Sequence, residues 1–380
     1  MNDRAGNKIV ETPCIRQLAG RIAHALAVAW MFIALTIQAE EKIRIGVSVP
    51  LTGAAAAYGA DIKDALVFAN RHFANSAYQL IIEDDQCIDK EAVAIAQKFA
   101  HVDKVKYALG FGCSGTVLAS APIYEAAKIV VIAAGTGAPA ITNAGDYIFR
   151  TKPSLNIAAD ILVKEFSSKF QEIGVISEET AFCQGLTNAI AERSHEHRLS
   201  VVNENYLPGT DDFRSIFMKL KSQGAQALFL NTQGEPGMVV LYRQFRALNW
   251  TIPVYGTFTP GSPAFISAFG KDADGIVYAD LQFNAEMLNE EGQRTFAEFE
   301  KEYGSVRSAE HYAALALIAF RSMDEAIRSG KDVKQYLYDH VFTNLVDGYS
   351  FDKNGDVVSE QLTYVLKTLK DGKPALFENK

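Results

Sequence analysis

Apolar and polar positions alternate along the chain in a recurring order. A first apolar run, residues 43–49, is followed by a turn at 50–53 and by an amphipathic helical pattern at about 58–73. A strand, a turn and a helix in this order form the repeating unit of a parallel sheet. The order recurs three times, and the further predicted elements are strands 78–83, 105–111 and 128–133 with helices 89–100, 115–127 and 137–142. The pattern predicts a doubly wound α/β sheet with helices on both faces.

A second series of the same kind follows the segment 147–151, which continues through residues 152–154. Its predicted elements are strands 172–177, 199–205, 226–231, 252–256 and 275–281, with helices 185–196, 211–222 and 236–247. The chain then continues through helices 288–303 and 309–328, a turn-rich stretch at 348–356 and a strand at 362–368. Because a domain takes roughly 100–200 residues, a chain of 380 residues is expected to form two lobes of this type.

The first 39 residues have the pattern of a secretory signal peptide. Positively charged residues lie within the first 21 positions, an apolar run follows at 22–37, and Ala39 is the expected last residue removed. The run is shorter than the roughly 20 residues that span a bilayer, which favours cleavage over an uncleaved anchor. The sequence therefore predicts a periplasmic protein in an oxidising compartment, with no membrane insertion after cleavage.

Composition and charge exclude several classes of protein. With 48% hydrophobic and 22% charged residues, the chain has the balance of a globular protein and not of a disordered one. The formal net charge is -8 and no block of Lys and Arg occurs. The chain therefore offers no concentrated positive field for nucleic acid or for an anionic membrane surface.

The sequence offers little that suggests catalysis or metal binding. It has no phosphate loop ending in Lys-Ser/Thr, no His-Glu-x-x-His and no Gly-x-Ser-x-Gly. His195 and His197 stand two apart on a predicted helix and so do not face each other. The acidic residues 83–85 lack the spaced oxygen ligands of a calcium loop and are expected to form a turn. We therefore expect no enzyme activity, no metal and no cofactor.

Three cysteines follow the predicted signal peptide. Cys87 comes after strand 78–83 and Cys113 after strand 105–111, so both are expected at the same edge of the first sheet. We predict a disulfide between them, and two buried free thiols are the alternative. Cys183 is left unpaired, which is usual for a buried, inert thiol.

Two loops at the carboxyl ends of strands contain small and hydroxyl-bearing residues, at 112–116 and 134–139. Ligands of an open parallel sheet bind outside these ends, where helix N-termini offer free N–H groups to an anion. Ser114 and Thr136 can donate hydroxyl hydrogens, and the glycines let backbone amides approach a ligand. The loops predict a site for a carboxylate; two helix N-caps without a ligand are the alternative.

Taken together, the chain from residue 43 to about residue 376 resembles the type I periplasmic solute-binding proteins of ABC importers, in particular the group that binds leucine, isoleucine and valine. The segments that support the resemblance are 45–47, 50–53, 58–59, 83–87, 112–116, 149–151, 209–213 and 351–356. The resemblance implies two lobes joined by a three-strand hinge, with crossovers near 151–156, 281–286 and 347–351. It places residues 40–153 and 284–348 in the first lobe and residues 154–283 and 349–380 in the second.

The resemblance also implies a set of ligand-binding residues in the cleft between the lobes. A carboxylate clamp falls on Ser114 and on the loop Gly135-Thr136-Gly137. The family's threonine position aligns with Gly137, so the hydroxyl of Thr136 lies one place early. Phe182 stands where the family usually has a tyrosine that packs on the ligand, and Tyr58 is expected to line the first lobe.

The partner for a ligand ammonium differs from the family pattern. The family has an acidic residue after the strand that ends at Gly256, whereas this chain has Thr257, Phe258 and Thr259. A buried ammonium without a counter-charge is unfavourable, so an amino acid needs another partner, for which Glu235 is the candidate. Without such a partner, Phe258 and Phe182 would be apolar walls around an acid that lacks the amine.

The sequence thus predicts the solute-binding subunit of an ABC importer, which captures a small hydrophobic amino acid or a related carboxylate and delivers it to a membrane permease. An amine-free aromatic or aliphatic acid is the alternative ligand. A sensory subunit that reports to a membrane receptor is an alternative role, because one fold serves both. An enzyme would require Cys183 to be acidic and to line the cleft.

Overall fold

The computed structural model describes residues 42–282 and 288–378. The predicted signal peptide, 1–39, lies outside these residues, and so does most of the predicted crossover at 281–286. Both sheets described below belong to one compact unit that starts at Arg44.

Five strands form the first sheet: β1 Ile43–Val49, β2 Tyr78–Asp84, β3 Tyr107–Gly110, β4 Val130–Ala133 and β5 Ile148–Arg150. Their order is β2-β1-β3-β4-β5, and β1, β3, β4 and β5 pair in parallel. The helices between them are α1 Ala56–His72, α2 Asp89–Lys98 and α3 Ser114–Ala127. Neighbouring residues of β4, Val131 and Ile132, are buried in different hydrophobic clusters. Helices therefore cover both faces of the sheet, which explains why its inner strands are continuously apolar.

The second sheet begins with five strands: β6 Glu172–Glu178, β7 Ser200–Tyr206, β8 Leu228–Asn231, β9 Val254–Gly256 and β10 Val277–Leu281. These five pair in parallel. Its helices are α4 Leu155–Lys169, α5 Ala181–Ser194, α6 Arg214–Ser222, α7 Glu235–Ala247 and α8 Pro263–Phe269. The predicted fold class is confirmed, since the structure has two α/β lobes built on mainly parallel sheets. Below, the first lobe is the first sheet with its helices, and the second lobe is the second sheet with its helices.

The C-terminal part of the chain returns to the first lobe before it completes the second. It contains α9 Glu290–Tyr303, α10 Glu310–Arg328, α11 Val333–Asp339, β11 Ser350–Phe351, β12 Val357–Val358, β13 Tyr364–Lys370 and β14 Lys373–Leu376. α10 packs against α1 of the first lobe. β13 joins the edge of the second sheet antiparallel to β10, and β14 pairs with β13.

The short hairpin of β11 and β12 lies against the first lobe, whereas the sequence placed residues 349–380 in the second. Arg150 of β5 forms a bridge with Asp356, and the rings of Phe149 and Phe351 are 5.3 Å apart. An ion pair holds the hairpin against the first lobe, since the buried guanidinium of Arg150 lies 2.6 Å from the Asp356 carboxylate. The chain therefore enters the second sheet only with β13.

Further elements differ from the sequence-based expectation, and α4 and the segment 137–142 are two of them. α4 was not predicted; it is capped by Ser154, whose Oγ accepts from the N–H of Asn156, and it buries Leu155, Leu162 and Phe166. The predicted helix at 137–142 is only a 3₁₀ turn, Pro139–Asn143. Pro139 disfavours a helical conformation at the preceding residue, and Ala138 is extended with φ -55° and ψ 136°.

Candidate functional site

The two predicted loops of the first lobe lie side by side at the carboxyl ends of β3 and β4. Ser114 begins α3, and its Oγ accepts a hydrogen bond from the N–H of Ala138 at 3.2 Å. Gly135 belongs to the loop 134–139, and its N–H donates to the carbonyl of Phe111, next to the other loop. Thr136 is completely buried, and its Oγ1 has no hydrogen-bond partner in the described part of the chain. The loops therefore hold two hydroxyl groups at one edge of the sheet.

Gly137 connects this edge to the second lobe. Its carbonyl accepts from the N–H of Leu155 at 2.8 Å, at the start of α4. A Cβ atom at this position would lie 3.1 Å from Leu155 and 3.2 Å from the hydroxyl of Tyr364 in β13. A larger side chain here would require Leu155 or Tyr364 to move by a few tenths of an ångström, so the glycine fits the space as it stands and Thr136 is the hydroxyl of the loop.

Glycines 110, 112 and 115 have the spacing of a dinucleotide-binding loop, a weak motif that internal packing explains here. A Cβ atom at Gly112 would lie 2.9 Å from the ring of Tyr58. One at Gly115 would lie 2.5 Å from the carboxylate of Asp89. The close approaches at these two glycines are therefore to the chain itself and not to a phosphate group.

Tyr58 lies beside the predicted disulfide. Cys87 and Cys113 are bonded to each other, as the sequence predicted, with 5.6 Å between their Cα atoms. The hydroxyl of Tyr58 is 3.2 Å from Sγ of Cys113 and accepts from Nε2 of Gln233 at 3.3 Å. Gln233 follows β8 of the second lobe, so this hydrogen bond joins the two lobes.

Four aromatic rings form a wall that crosses from one lobe to the other. Tyr58 stacks on Tyr312 of α10 with 4.7 Å between ring centroids. Phe258, which follows β9, meets Tyr312 edge to face at 5.6 Å and Phe182 of α5 at 6.1 Å. Of the four rings, Tyr58 and Tyr312 belong to the first lobe, and Phe182 and Phe258 to the second. We call these four rings the aromatic wall.

Lys152 places a positive charge against this wall. Its side chain is buried, with a relative exposure of 1%. Nζ lies 4.6 Å from the ring centroid of Tyr312, 5.1 Å from that of Phe258 and 5.5 Å from that of Phe182. Burial lowers the pKa of Lys152 to about 8, although the negative charge of Asp280 acts in the opposite direction. The ammonium is thus the dominant form at neutral pH.

A row of polar groups continues from Lys152 to the edge of the second sheet. Nε2 of His311 is 3.3 Å from Nζ of Lys152, and Nδ1 of His311 is 3.3 Å from the carboxylate of Asp280. Asp280 also accepts from Lys367 at 2.8 Å. Burial and the charge of Lys152 lower the pKa of His311 to about 4, so its ring is neutral. Since Nδ1 faces a carboxylate it holds the proton, and Nε2 accepts from Lys152.

The ionised state of Asp280 is fixed by its neighbours. Burial opposes ionisation, but the charge of Lys367 and the hydrogen bond from His311 outweigh it and keep the pKa of Asp280 well below its usual range. A cavity of about 880 Å³ borders this row and is lined in part by Asp280, His311 and Lys367.

Glu235 forms a second contact between the lobes. It begins α7, it is 3% exposed, and its carboxylate accepts a hydrogen bond from the hydroxyl of Ser308. Burial raises the pKa of Glu235. Ser308 is held in turn by Asp61 of α1, which accepts from its backbone N–H at 2.9 Å. One carboxylate oxygen of the predicted ammonium partner is therefore already engaged within the chain.

The loop after β9 contains hydroxyl groups in place of an acidic residue. Thr257 and Thr259 are buried, and neither Oγ1 has a hydrogen-bond partner among residues 42–282 and 288–378. Phe258 lies between them in the sequence, and its ring is part of the aromatic wall. The structure thus brings Ser114, Thr136 and Gly137 together, and it brings Tyr58, Phe182 and Phe258 together.

The structure also bears on metal binding, on the chemistry of Cys183 and on membrane-spanning helices. Over the described residues, no cluster of three or more His, Cys, Asp and Glu side chains could hold a metal ion. Cys183 is buried, and burial raises its pKa well above the usual range, so its thiol is not acidic. In the same part of the chain no helix combines the length and apolarity needed to cross a bilayer.

Residues 42–339 match a protein family described as periplasmic binding protein. The chain belongs to the periplasmic binding protein family. The resemblance seen in the sequence is thereby confirmed, and the family consists of binding proteins and not of enzymes.

Relatives of this periplasmic binding protein bind amino acids, according to their names. It is 25% identical over 359 residues to a leucine-, isoleucine-, valine-, threonine- and alanine-binding protein of Pseudomonas aeruginosa, covering 91% of this chain and 95% of the relative. It is 25% identical over 268 residues to the Leu/Ile/Val-binding protein of Escherichia coli, covering 67% of this chain and 71% of the relative.

Solved structures share the fold. A leucine binding protein from Thermotoga maritima superposes with a TM-score of 0.79 at 19% identity, over 88% of this chain and 98% of the other. A solute binding protein of an ABC transporter from R. palustris, in complex with benzoate, superposes with a TM-score of 0.77 at 18% identity, over 88% and 95% of the two chains. At these identities the likeness establishes the fold of the periplasmic binding protein and nothing about its ligand.

The sequence analysis of this periplasmic binding protein missed two residues of the candidate site, Lys152 and His311. Lys152 was read only as part of a connection between the two series of strands, and His311 as one position of a long helix. A charged residue two positions after the buried strand β5 was the available indication, because parallel strands direct their carboxyl ends toward a ligand site.

Proposed function

We propose that this chain is the extracytoplasmic solute-binding subunit of an ABC importer, and that it captures a small organic carboxylate in the cleft between its lobes. The observation that supports this best is the aromatic wall, because its rings come from both lobes and meet at one place. Buried hydroxyl groups of the first lobe, on Ser114 and Thr136, lie at the carboxyl ends of β3 and β4. An apolar surface with a few polar groups is typical of small-molecule sites.

Binding is proposed to occur by closure of the two lobes. Gln233 donates to Tyr58, and Ser308 donates to Glu235, so that each hydrogen bond joins the second lobe to the first. A ligand stabilises this closed arrangement only through contacts that it makes with both lobes. Tyr58 and Tyr312 on one side, with Phe182 and Phe258 on the other, offer such contacts.

Two classes of carboxylate are proposed ligands. The names of the relatives favour a hydrophobic amino acid, whose ammonium would be received by the second carboxylate oxygen of Glu235. The lack of an acidic residue at Thr257, Phe258 and Thr259 favours an acid without the amine. The R. palustris protein with benzoate has the same fold, which shows that the fold accommodates such acids.

Ligand binding should raise the thermal midpoint of the mature protein. A ligand at a concentration of 100 Kd adds about 2.7 kcal/mol to the free energy of unfolding, which corresponds to about 4 °C for a chain of this size. The experiment is thermal denaturation of refolded, ligand-stripped protein against a panel of amino acids and matched amine-free acids. If no member of either class shifts the midpoint at millimolar concentration, the proposed function is wrong.

The role of the aromatic wall can be separated from a general loss of stability by a matched pair of variants. Phe258→Ala removes a ring of the wall, and Phe245→Ala removes a buried ring from the separate core of the second lobe. Both should destabilise by about 3–5 kcal/mol. Only Phe258→Ala should abolish the ligand-induced shift. Equal shifts in the two variants would contradict a ligand site at the wall.

Export and delivery to a membrane permease complete the proposal. Cleavage after Ala39 would leave a mature chain that begins just before β1. Mass spectrometry of the protein from a periplasmic extract tests this, since an intact N-terminus would show that the segment 1–39 is retained.

A further inference from the structure

The ammonium of Lys152 has fewer partners than a buried charge requires. Among the residues that the structure describes, no carboxylate lies within 4.0 Å of its Nζ, and its hydrogen-bond partner is Nε2 of His311 at 3.3 Å. An ammonium has three N–H groups, so two of them have no hydrogen-bond acceptor among the described residues, where Nζ otherwise lies near aromatic rings. Rings attract a cation, but they are weak hydrogen-bond acceptors. A buried charge of this kind is unfavourable unless another group completes its surroundings.

The neighbouring acidic side chains do not compensate the charge of Lys152. Both oxygens of Asp280 are engaged, one by His311 and by the N–H of Leu281, the other by Lys367. One oxygen of Glu235 accepts from Ser308, and Glu235 forms no ion pair with Lys152 among the described residues. His311 is oriented by Asp280, so the row of polar groups fixes the position of the ammonium without compensating its charge.

The place of this charge is defined by rings from both lobes. Nζ lies within 5.5 Å of the centroids of Phe182, Phe258 and Tyr312. These are three of the four rings of the aromatic wall. A ligand that packs against the wall therefore brings its polar end close to Nζ.

We infer that Lys152 is the charge partner of the ligand carboxylate, and that the ligand is an amine-free acid with an aromatic or branched aliphatic body. The inference rests on the proposed function and narrows its ligand class. The acid supplies the oxygen acceptors that the two N–H groups lack, and its body packs against Phe182 and Phe258. Because the ion pair is shielded from water, it contributes both affinity and selectivity.

An α-amino acid fits these surroundings poorly. Its ammonium is next to its carboxylate, so binding at Lys152 would bring two positive charges together in a region of low dielectric. The loop after β9 has threonines where a carboxylate would be needed. The same positive charge that attracts an acid thus excludes the zwitterion.

Matched ligand pairs test the inference on the mature wild-type protein. Titration calorimetry compares 3-phenylpropanoate with phenylalanine and 4-methylpentanoate with leucine, since each pair differs by the amine alone. We expect the amine-free member of the better pair to bind about 100-fold or more tightly than the amino acid. If phenylalanine or leucine binds more tightly than its matched acid, the inference is overturned while the proposed function stands. If neither class binds, the proposed function itself fails.

The contribution of Lys152 is isolated by changing the charge of both partners. The neutral amide 3-phenylpropanamide serves as the uncharged ligand and Lys152→Met as the uncharged protein. Wild type should prefer the acid over the amide by about 100-fold, and Lys152→Met should lose that preference. A purely structural role of Lys152 would weaken both ligands equally, which would overturn the inference.

The control is Lys334→Met, which removes the charge of a lysine that also lies over an aromatic ring, that of Tyr147 at 4.5 Å, but belongs to α11 and lies outside the aromatic wall. It leaves the aromatic wall and Nζ of Lys152 in place, so the preference for the acid should change less than about fivefold. Both variants are checked for folding by near-ultraviolet circular dichroism. Should Lys152→Met fail to fold, the wild-type comparison of matched pairs still decides the ligand class.

The pH dependence of affinity is an independent readout. The pKa of Lys152 is lowered to about 8, so the ligand-free protein loses the ammonium above this pH, and a bound carboxylate favours its return. The affinity for the acid should therefore fall about tenfold between pH 7 and pH 9. The other ionisable groups that face this position are His311, Tyr312, Tyr58, Tyr364, Asp280, Lys367 and Glu235.

Titration of the histidine, the tyrosines and Asp280 does not account for such a fall. The pKa of His311 is lowered to about 4, so it is neutral throughout, and burial raises the pKa values of Tyr312, Tyr58 and Tyr364 well above this range. Asp280 stays ionised. Lys152→Met should show a flat profile from pH 7 to 9, and an unchanged slope in this variant would contradict the role of the ammonium.

Discussion

Replacing Arg150 with Met should lower the free energy of unfolding by about 3–4 kcal/mol. The side chain is completely buried and donates to both oxygens of Asp356, at 2.6 and 2.8 Å. It also donates to the carbonyl of Ala138 and to Oγ1 of Thr142, each at 2.8 Å. The substitution leaves a partly buried carboxylate and a buried carbonyl without their partner. Urea denaturation followed by circular dichroism measures the loss.

Arg214 provides the matched control for this prediction. It also donates to a carboxylate through two nitrogen atoms, in this case to Asp212, but its side chain is 74% exposed. An exposed ion pair is screened by water, so Arg214→Met should leave the urea midpoint unchanged. Equal losses in the two variants would show that burial does not determine the effect. Since Ala138 donates to Ser114, Arg150→Met should also weaken ligand binding.

Reduction of the disulfide should lower the free energy of unfolding by about 3–4 kcal/mol. Cys87 and Cys113 are separated by 26 residues, and the bond restricts the unfolded chain over that loop. Breaking it also frees the segment beside Tyr58, whose hydroxyl contacts Cys113. The measurement is urea denaturation with and without a phosphine reductant.

The control for reduction is the double variant Cys87→Ala and Cys113→Ala. It should match the stability of the reduced wild type and should not respond to the reductant. Cys183→Ala, which removes the buried thiol outside the bridge, should respond as wild type does. If the wild type is insensitive to complete reduction, the bridge contributes nothing to stability.

The alternation of elements was predictable because parallel sheets require it. Apolar runs such as residues 43–49 and 172–177 became β1 and β6 with little shift in their ends. The disulfide was predictable for the same reason, since the ends of β2 and β3 had to meet at one edge. These features depend on local patterns and on the rules for connecting strands.

Long-range contacts were not accessible from such patterns. No local signal shows that Arg150 would hold Asp356, and so the sequence analysis grouped the hairpin of β11 and β12 with the second lobe. α4 was missed because Pro153 and Ser154 were interpreted as a connection, although a serine before an apolar helical pattern is a common N-cap. Within the candidate site, the hydroxyls and rings were predicted individually. The burial of Lys152 depends on rings from α5, α10 and the loop after β9, which only the fold brings together.

The buried position of Lys152 affects how readily the ligand-free protein closes, and so bears on the proposed transport function. In the closed arrangement its ammonium is surrounded by three rings and one imidazole, and opening the lobes would return it to water. Closure of an empty molecule is therefore disfavoured by the dehydration of one charge. Under the proposed function, a permease that recognises the closed form would then encounter few empty molecules, and the coupled ATPase would rarely complete a cycle without cargo.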